Sequence, residues 1–149
     1  HFCNGNSYRA LEYYGLSNLA EENEWGHFNS ARILQNQKEL DSAFKKYDQA
    51  IKLKPDFPQA FRHQAEILTL QGDIDTAFKK LEKSQQLNPN DPETNKLLAE
   101  HYIDQGDNKK ALTYLKAIHY RDPDVLEKIK ELEQKKSLLN RIVGRFRNQ

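Results

Sequence analysis

The sequence predicts an all-α solenoid of helix-turn-helix units, and three observations carry that prediction. Pro55, Pro89 and Pro123 stand 34 residues apart. An alanine lies twelve residues before each of them, at Ala43, Ala77 and Ala111, and a large residue eight before, at Tyr47, Leu81 and Leu115. A second small residue recurs 24 before, at Ala31, Ala65 and Ala99. Stacked helix pairs require this kind of period, because each unit buries its apolar face against its neighbours.

The period divides the chain into units at 24–57, 58–91 and 92–125, with a leading segment at 1–23 and a final segment at 126–149. Each unit reads as a first helix of about fourteen residues and a slightly longer second one, joined by a tight turn. In the middle unit Phe61, Ala65 and Leu68 share one helical face, and Ala77, Leu81 and Ser84 repeat the spacing on the partner helix. Gly72 and Gly106 stand five residues before Ala77 and Ala111, where a helix terminus needs a residue tolerant of positive φ. Asp73 and Asp107 follow as caps of the next helix. Asp91-Pro92 and Phe57-Pro58 mark helix starts with proline at the first helical position. Asp124 with Glu127 reads as a capping box for the final helix.

The same marks occur once more upstream, where Gly5 precedes Ala10 by five residues. Residues 1–4 therefore read as the end of a first helix whose start is missing, and residues 6 to 20 as its partner. No methionine stands at position 1, and the expectation is that this chain is a fragment whose parent continues upstream.

Composition excludes several classes of function. A formal net charge of +1 argues against a nucleic-acid module, which needs a basic stripe to neutralise phosphates. An RNA-binding reading rests only on the final 24 residues, which carry +4. The single cysteine, Cys3, excludes an internal disulfide framework and a thiolate zinc site. It reads as a small packing residue. No apolar run is long enough to cross a bilayer. His63 with Glu66 and His101 with Asp104 have helical spacing but no third ligand, so no metal or cofactor is expected. Asp104-Gln105-Gly106-Asp107 lacks the bidentate glutamate of a calcium loop. With no nucleophile elbow and no phosphate-binding glycine loop, the chain is not expected to be an enzyme.

These residues resemble the tetratricopeptide repeat, whose first helix carries a large residue, leucine, glycine or alanine, and tyrosine, and whose second carries alanine, phenylalanine, alanine and proline. Residues 24–125 cover the pattern, and Ala43, Tyr47, Ala50 and Pro55 fit it fully. Departures are His27, Phe61 and Asn95 at the large position, and Ser84 and Ile118 at the later small one. The resemblance implies a right-handed superhelix, capped by the C-terminal helix, with a concave groove lined by the first helix of each unit. Such a groove docks a partner peptide or helix, so the implied function is that of a non-catalytic assembly scaffold. Carried over by position, the groove residues are Trp25, Phe28, Asn29 and Arg32, then Gln59, Arg62, His63, Glu66 and Thr69, then Glu93, Lys96, Glu100 and Ile103. The clamp with which one subgroup holds chaperone carboxylate tails needs lysine, asparagine and arginine. The corresponding places here hold Phe28 and Arg32, His63, and Glu93 with Leu97, so tail capture is not expected.

Each candidate also has a structural reading. Trp25 and Phe28 fit an interaction hot spot or packing against the leading segment. Arg62 with Glu66 and Lys96 with Glu100 fit partner contacts or ordinary i,i+4 pairs. In the final segment Leu126, Ile129 and Leu132, then Leu139, Ile142, Val143 and Phe146, form an apolar stripe on a Lys- and Arg-rich helix. Its first half is expected to cap the solenoid. Its second half, with Arg141, Arg145, Phe146 and Arg147, extends past what capping needs. That half reads as a second contact: a self-association seam, a docking site for the parent, or a helix for an acidic or membrane surface. A spacer or self-association module of a larger enzyme or secretion component is the alternative to the groove-binding scaffold.

Overall fold

The computed structural model describes residues 23–118 and 122–147. The Gly5, Ala10 and Cys3 expectations lie outside them. Among the described residues the regular elements are seven α-helices: α1 (Glu24–Asn36), α2 (Leu40–Leu53), α3 (Pro58–Leu70), α4 (Ile74–Leu87), α5 (Pro92–Asp104), α6 (Asn108–Lys116) and α7 (Pro123–Arg147). They fall into two compact units, one ending at Pro89 and one beginning at Asn90. The pairs α1 with α2, α3 with α4, and α5 with α6 are the hairpins that the period predicts.

Local chemistry sets the helix starts. Asn23 accepts from the Gly26 amide, Asp73 from Thr76, Asp91 from Thr94 and Asp107 from Lys110, each satisfying an N–H that the first turn leaves open. Pro58 and Pro92 occupy the first turn, where a missing N–H costs nothing. Between the helices of each hairpin one residue turns left-handed: Gly72 at φ 86°, Gly106 at φ 78° and, in the same phase, Lys38 at φ 66°. Lysine is strained there by its Cβ, a cost absent from the two glycines.

In the first unit Phe28, Ala31, Ala43, Tyr47, Ala50, Phe57, Ala60 and Ile67 form the core. Its alanines are completely buried, so the close approach of paired helices depends on their having no further atoms. The buried Gln64 donates to Asp48 over 2.6 Å, and the buried Ser84 hydroxyl donates to the Pro58 carbonyl over 2.9 Å. Serine at that departure from the repeat pattern thus ties α4 to the start of α3. In the second unit Ala99, Ala111, Leu112, Leu115, Ile118, Val125 and Leu132 form the core.

Three sequence expectations are corrected in the second unit. The final helix begins at Pro123, before 126, and the side chain of Asp122 accepts from the Asp124 amide, so Asp124 lies inside the first turn and is not the cap. Helix α6 has 9 residues and is shorter than α5, with 13. It ends before Ile118, which reaches the core where the other units place the small Ala50 and Ser84. Val125, Ile129 and Leu132 are the residues of α7 that pack, while Leu126 is exposed, so the packed stripe keeps Ile129 and Leu132 and takes Val125 in place of Leu126.

Candidate interaction site

In the first unit the aromatic residues gather around Phe28. Its ring lies 4.8 Å from Phe57, 5.6 Å from Tyr47 and 5.6 Å from His63, and only 5% of the residue is exposed. Phe28 is therefore a core residue of its own unit and not an open groove contact. Trp25 sits one turn earlier and is 48% exposed, with its ring 4.8 Å from Phe57 and the Lys54 ammonium 5.7 Å from its centre. It combines a packed edge with an open face, the arrangement of an aromatic that can still take a partner.

Beside this cluster a polar network joins three helices. Tyr47 on α2 donates to Gln35 Oε1 on α1 over 2.7 Å, and Gln35 Nε2 donates to Glu66 on α3 over 3.2 Å. Arg62 donates to the other Glu66 oxygen over 3.1 Å, and His63 Nδ1 lies 3.1 Å from Glu66. The His63 ring stacks on Tyr47 at 5.3 Å and 7°. Burial raises the Glu66 carboxyl, but the hydrogen bond and charge of His63, the Arg62 charge and the Gln35 bond outweigh it and hold the group below its ordinary value. Burial, with the Glu66 charge, pushes the Tyr47 phenol well above its own. Three of the expected groove residues, Arg62, His63 and Glu66, are thus committed to one another. Asn29 and Gln59 are half-buried, while Arg32 and Thr69 are exposed.

In the second unit a cleft of about 290 Å3 lies between α5 and α7. Ala99, Ile103, Leu115 and Val125 give it an apolar floor, and Lys96, Glu100, Asp124 and Lys128 stand around its rim. Lys96 is held by Asp122 at 2.5 Å, with Glu93 at 3.8 Å, and does not take Glu100 as its partner. The Lys96 hydrogen bond keeps the Asp122 carboxyl below its ordinary value. Glu100 and Lys128 make no ion pair among the described residues. An apolar floor with both signs of charge at its edge can take a hydrophobic side chain and orient the chain that carries it.

A tetratricopeptide-repeat sequence profile matches residues 68–135 and a second one matches 26–57, together about two thirds of the chain. The chain belongs to the tetratricopeptide-repeat family. No curated protein matches the sequence. Among solved structures, MamA aligns with a TM-score of 0.72 at 15% identity, covering 97% of this chain and 81% of its own. The type III secretion chaperone SycD of Yersinia enterocolitica, solved in complex with a peptide of the translocator YopD, aligns with a TM-score of 0.64 at 15% identity, covering 74% of this chain and 92% of its own. The Sgt2 TPR domain of Aspergillus fumigatus gives 0.65 at 17%, covering 79% and 82%. At such identities the likeness establishes the fold, an all-α solenoid.

Of the positions that the tetratricopeptide pattern nominates, the structure brings Lys96, Glu100 and Ile103 together in the α5–α7 cleft, while Glu93 is exposed and sits 3.8 Å from Lys96. Sequence reasoning did not nominate Asp124 and Lys128 for a site, because Asp124 reads as a helix cap and the first half of the final segment as a cap of the solenoid. It also missed Gln35. A signal was available there, since Phe28, Ala31 and Gln35 share the spacing of the buried stripe, and a polar residue on that stripe needs a buried partner.

Proposed function

We propose that this chain is a non-catalytic interaction domain that scaffolds protein assembly by holding an extended peptide or a helix of a partner on the first helices of its repeats. The observation that carries the reading is the α5–α7 cleft, whose apolar floor and mixed rim suit a large apolar side chain flanked by one basic and one acidic residue. In the first unit, taken by itself, Trp25, Asn29, Arg32 and Gln59 are the contacts this reading assigns to that unit's own surface, while Arg62, His63 and Glu66 are committed to one another. The SycD complex supports it to the extent that the same fold holds a peptide in another protein.

Panning a random-peptide library against the whole chain tests the proposal. Selected peptides are expected to carry an apolar anchor between opposite charges. Their affinity is expected to fall about tenfold in Glu100→Lys and in Lys128→Glu, the loss typical of a close charge pair at an interface. Peptides indifferent to both substitutions would remove the cleft from the account.

A further inference from the structure

Helix α7 runs for 25 residues, about 37 Å, whereas α6 beside it runs for 9, about 13 Å. Val125, Ile129 and Leu132 belong to the packed core of the unit, and nothing in that core comes from beyond Leu132. Leu138, Leu139, Ile142, Val143 and Phe146 are all exposed, Phe146 to 74%. Five large apolar side chains within nine positions, of which Leu139 also lines a cavity against the start of α6, make an exposed apolar patch of the kind that marks an interaction surface.

The order of residues around the helix says what this surface fits. At 3.6 residues per turn the five apolar residues fall within an arc of roughly 140°. Arg141 and Arg145 border one edge of the arc and Lys136 and Arg147 border the other, while Lys135 at its N-terminal end is held by Glu131 at 2.9 Å. Ser137, Asn140 and Gly144 form the back of the helix, and no acidic residue occurs between Gln134 and Arg147. Cations at both margins of an apolar arc can lower their aliphatic stems beside it and keep their charged ends at one depth.

We infer that residues 136–147 of α7 bind the surface of an anionic lipid bilayer, with Leu138, Ile142 and Phe146 entering the headgroup boundary and Lys136, Arg141, Arg145 and Arg147 meeting lipid phosphates. No helix among the described residues is long and apolar enough to cross a membrane, so the contact lies on the surface. Charge opposes a parallel second copy, which would set like cations against one another, and in an antiparallel copy the acids that come nearest Arg145, Glu131 and Glu133, are already held by Lys135 and Lys116. It favours a lipid surface over an acidic protein groove because the cations lie at both edges of the arc and the back is small and uncharged. This inference is independent of the cleft between α5 and α7.

The test is co-sedimentation of the full chain with phosphatidylcholine vesicles and with vesicles that also contain phosphatidylglycerol, at low and high salt. Binding is expected only to the anionic vesicles and is expected to weaken with salt. Phe146→Ser is expected to reduce it about tenfold. The combined Arg141→Gln, Arg145→Gln and Arg147→Gln chain is expected to lose about a hundredfold, with helicity by circular dichroism unchanged because these side chains are exposed. Failure to sediment with either vesicle, or binding that ignores both sets of substitutions, would overturn the inference. A doubled mass in lipid-free solution that Phe146→Ser abolishes would overturn it in favour of self-association, and binding to an acidic polypeptide matrix with none to the anionic vesicles would do so in favour of a protein partner.

Discussion

The phenol of Tyr47 donates a 2.7 Å hydrogen bond to the side-chain oxygen of Gln35, twelve residues earlier in the chain. That bond places the in-phase aromatic of the first repeat at the start of a relay that continues through Gln35 to Glu66 on the next repeat. One packing residue of the repeat thereby fixes a polar surface. Tyr47→Phe keeps the ring and leaves Gln35 Oε1 without its donor. The expected cost is about 1–3 kcal/mol in urea unfolding.

The same phenol predicts an alkaline effect. Its folded value is raised, so its contribution to stability is complete below the ordinary tyrosine value of 10.0 and is lost as pH rises beyond it. Urea midpoints of the native chain are expected to fall more steeply above about pH 10 than those of Tyr47→Phe. Parallel curves would show that the hydroxyl is not held as described.

Glu66 predicts the opposite limb. Its folded value is lowered, so its contribution is complete above the ordinary value of 4.5 and is lost as pH falls through the folded value. Glu66→Gln is expected to flatten the acid side of the stability profile, read by thermal unfolding in a pH series. An unchanged acid limb would mean that Arg62, His63 and Gln35 do not act on this carboxylate together.

Lys38 and Gly72 occupy the same place in successive turns with positive φ, yet only one is glycine. Lys38→Gly is expected to raise stability by about 1 kcal/mol by relieving the Cβ clash. Gly72→Ala is expected to lower it by a similar amount, through backbone strain alone, since an added Cβ at Gly72 meets no atom within 4 Å. Calorimetric melting of the two variants checks both signs.

The two halves of α7 differ in the same measurable way. Leu132→Ala removes a buried core side chain and is expected to cost about 2–5 kcal/mol. Leu138→Ala truncates an exposed one and is expected to stay within about 0.5 kcal/mol. Equal losses at both positions would contradict the division of the helix into a packed half and an exposed half.

How much of this was legible in the sequence follows from range. The caps Asp73, Asp91 and Asp107 act over three residues, so spacing alone finds them. The period finds the hairpins because in-phase alanines must be small wherever two helices touch. Lys38 escaped notice because a left-handed turn was sought at glycine. The links of Lys96 to Asp122, over 26 residues, and of Gln35 to Glu66, over 31, depend on how helices stack, which spacing within one helix does not encode. For the same reason Phe28 and Lys96 both matched groove positions, though one ring is buried in the core and one ammonium lines the cleft.

The central claim, that the α5–α7 cleft receives a partner peptide, is tested most directly by amide chemical-shift mapping of the whole chain against a peptide selected from the library. Shifts concentrated at Lys96, Ala99, Glu100, Ile103 and Lys128 are the predicted result. Shifts confined to α2 and α4, with the cleft amides unmoved, would contradict it.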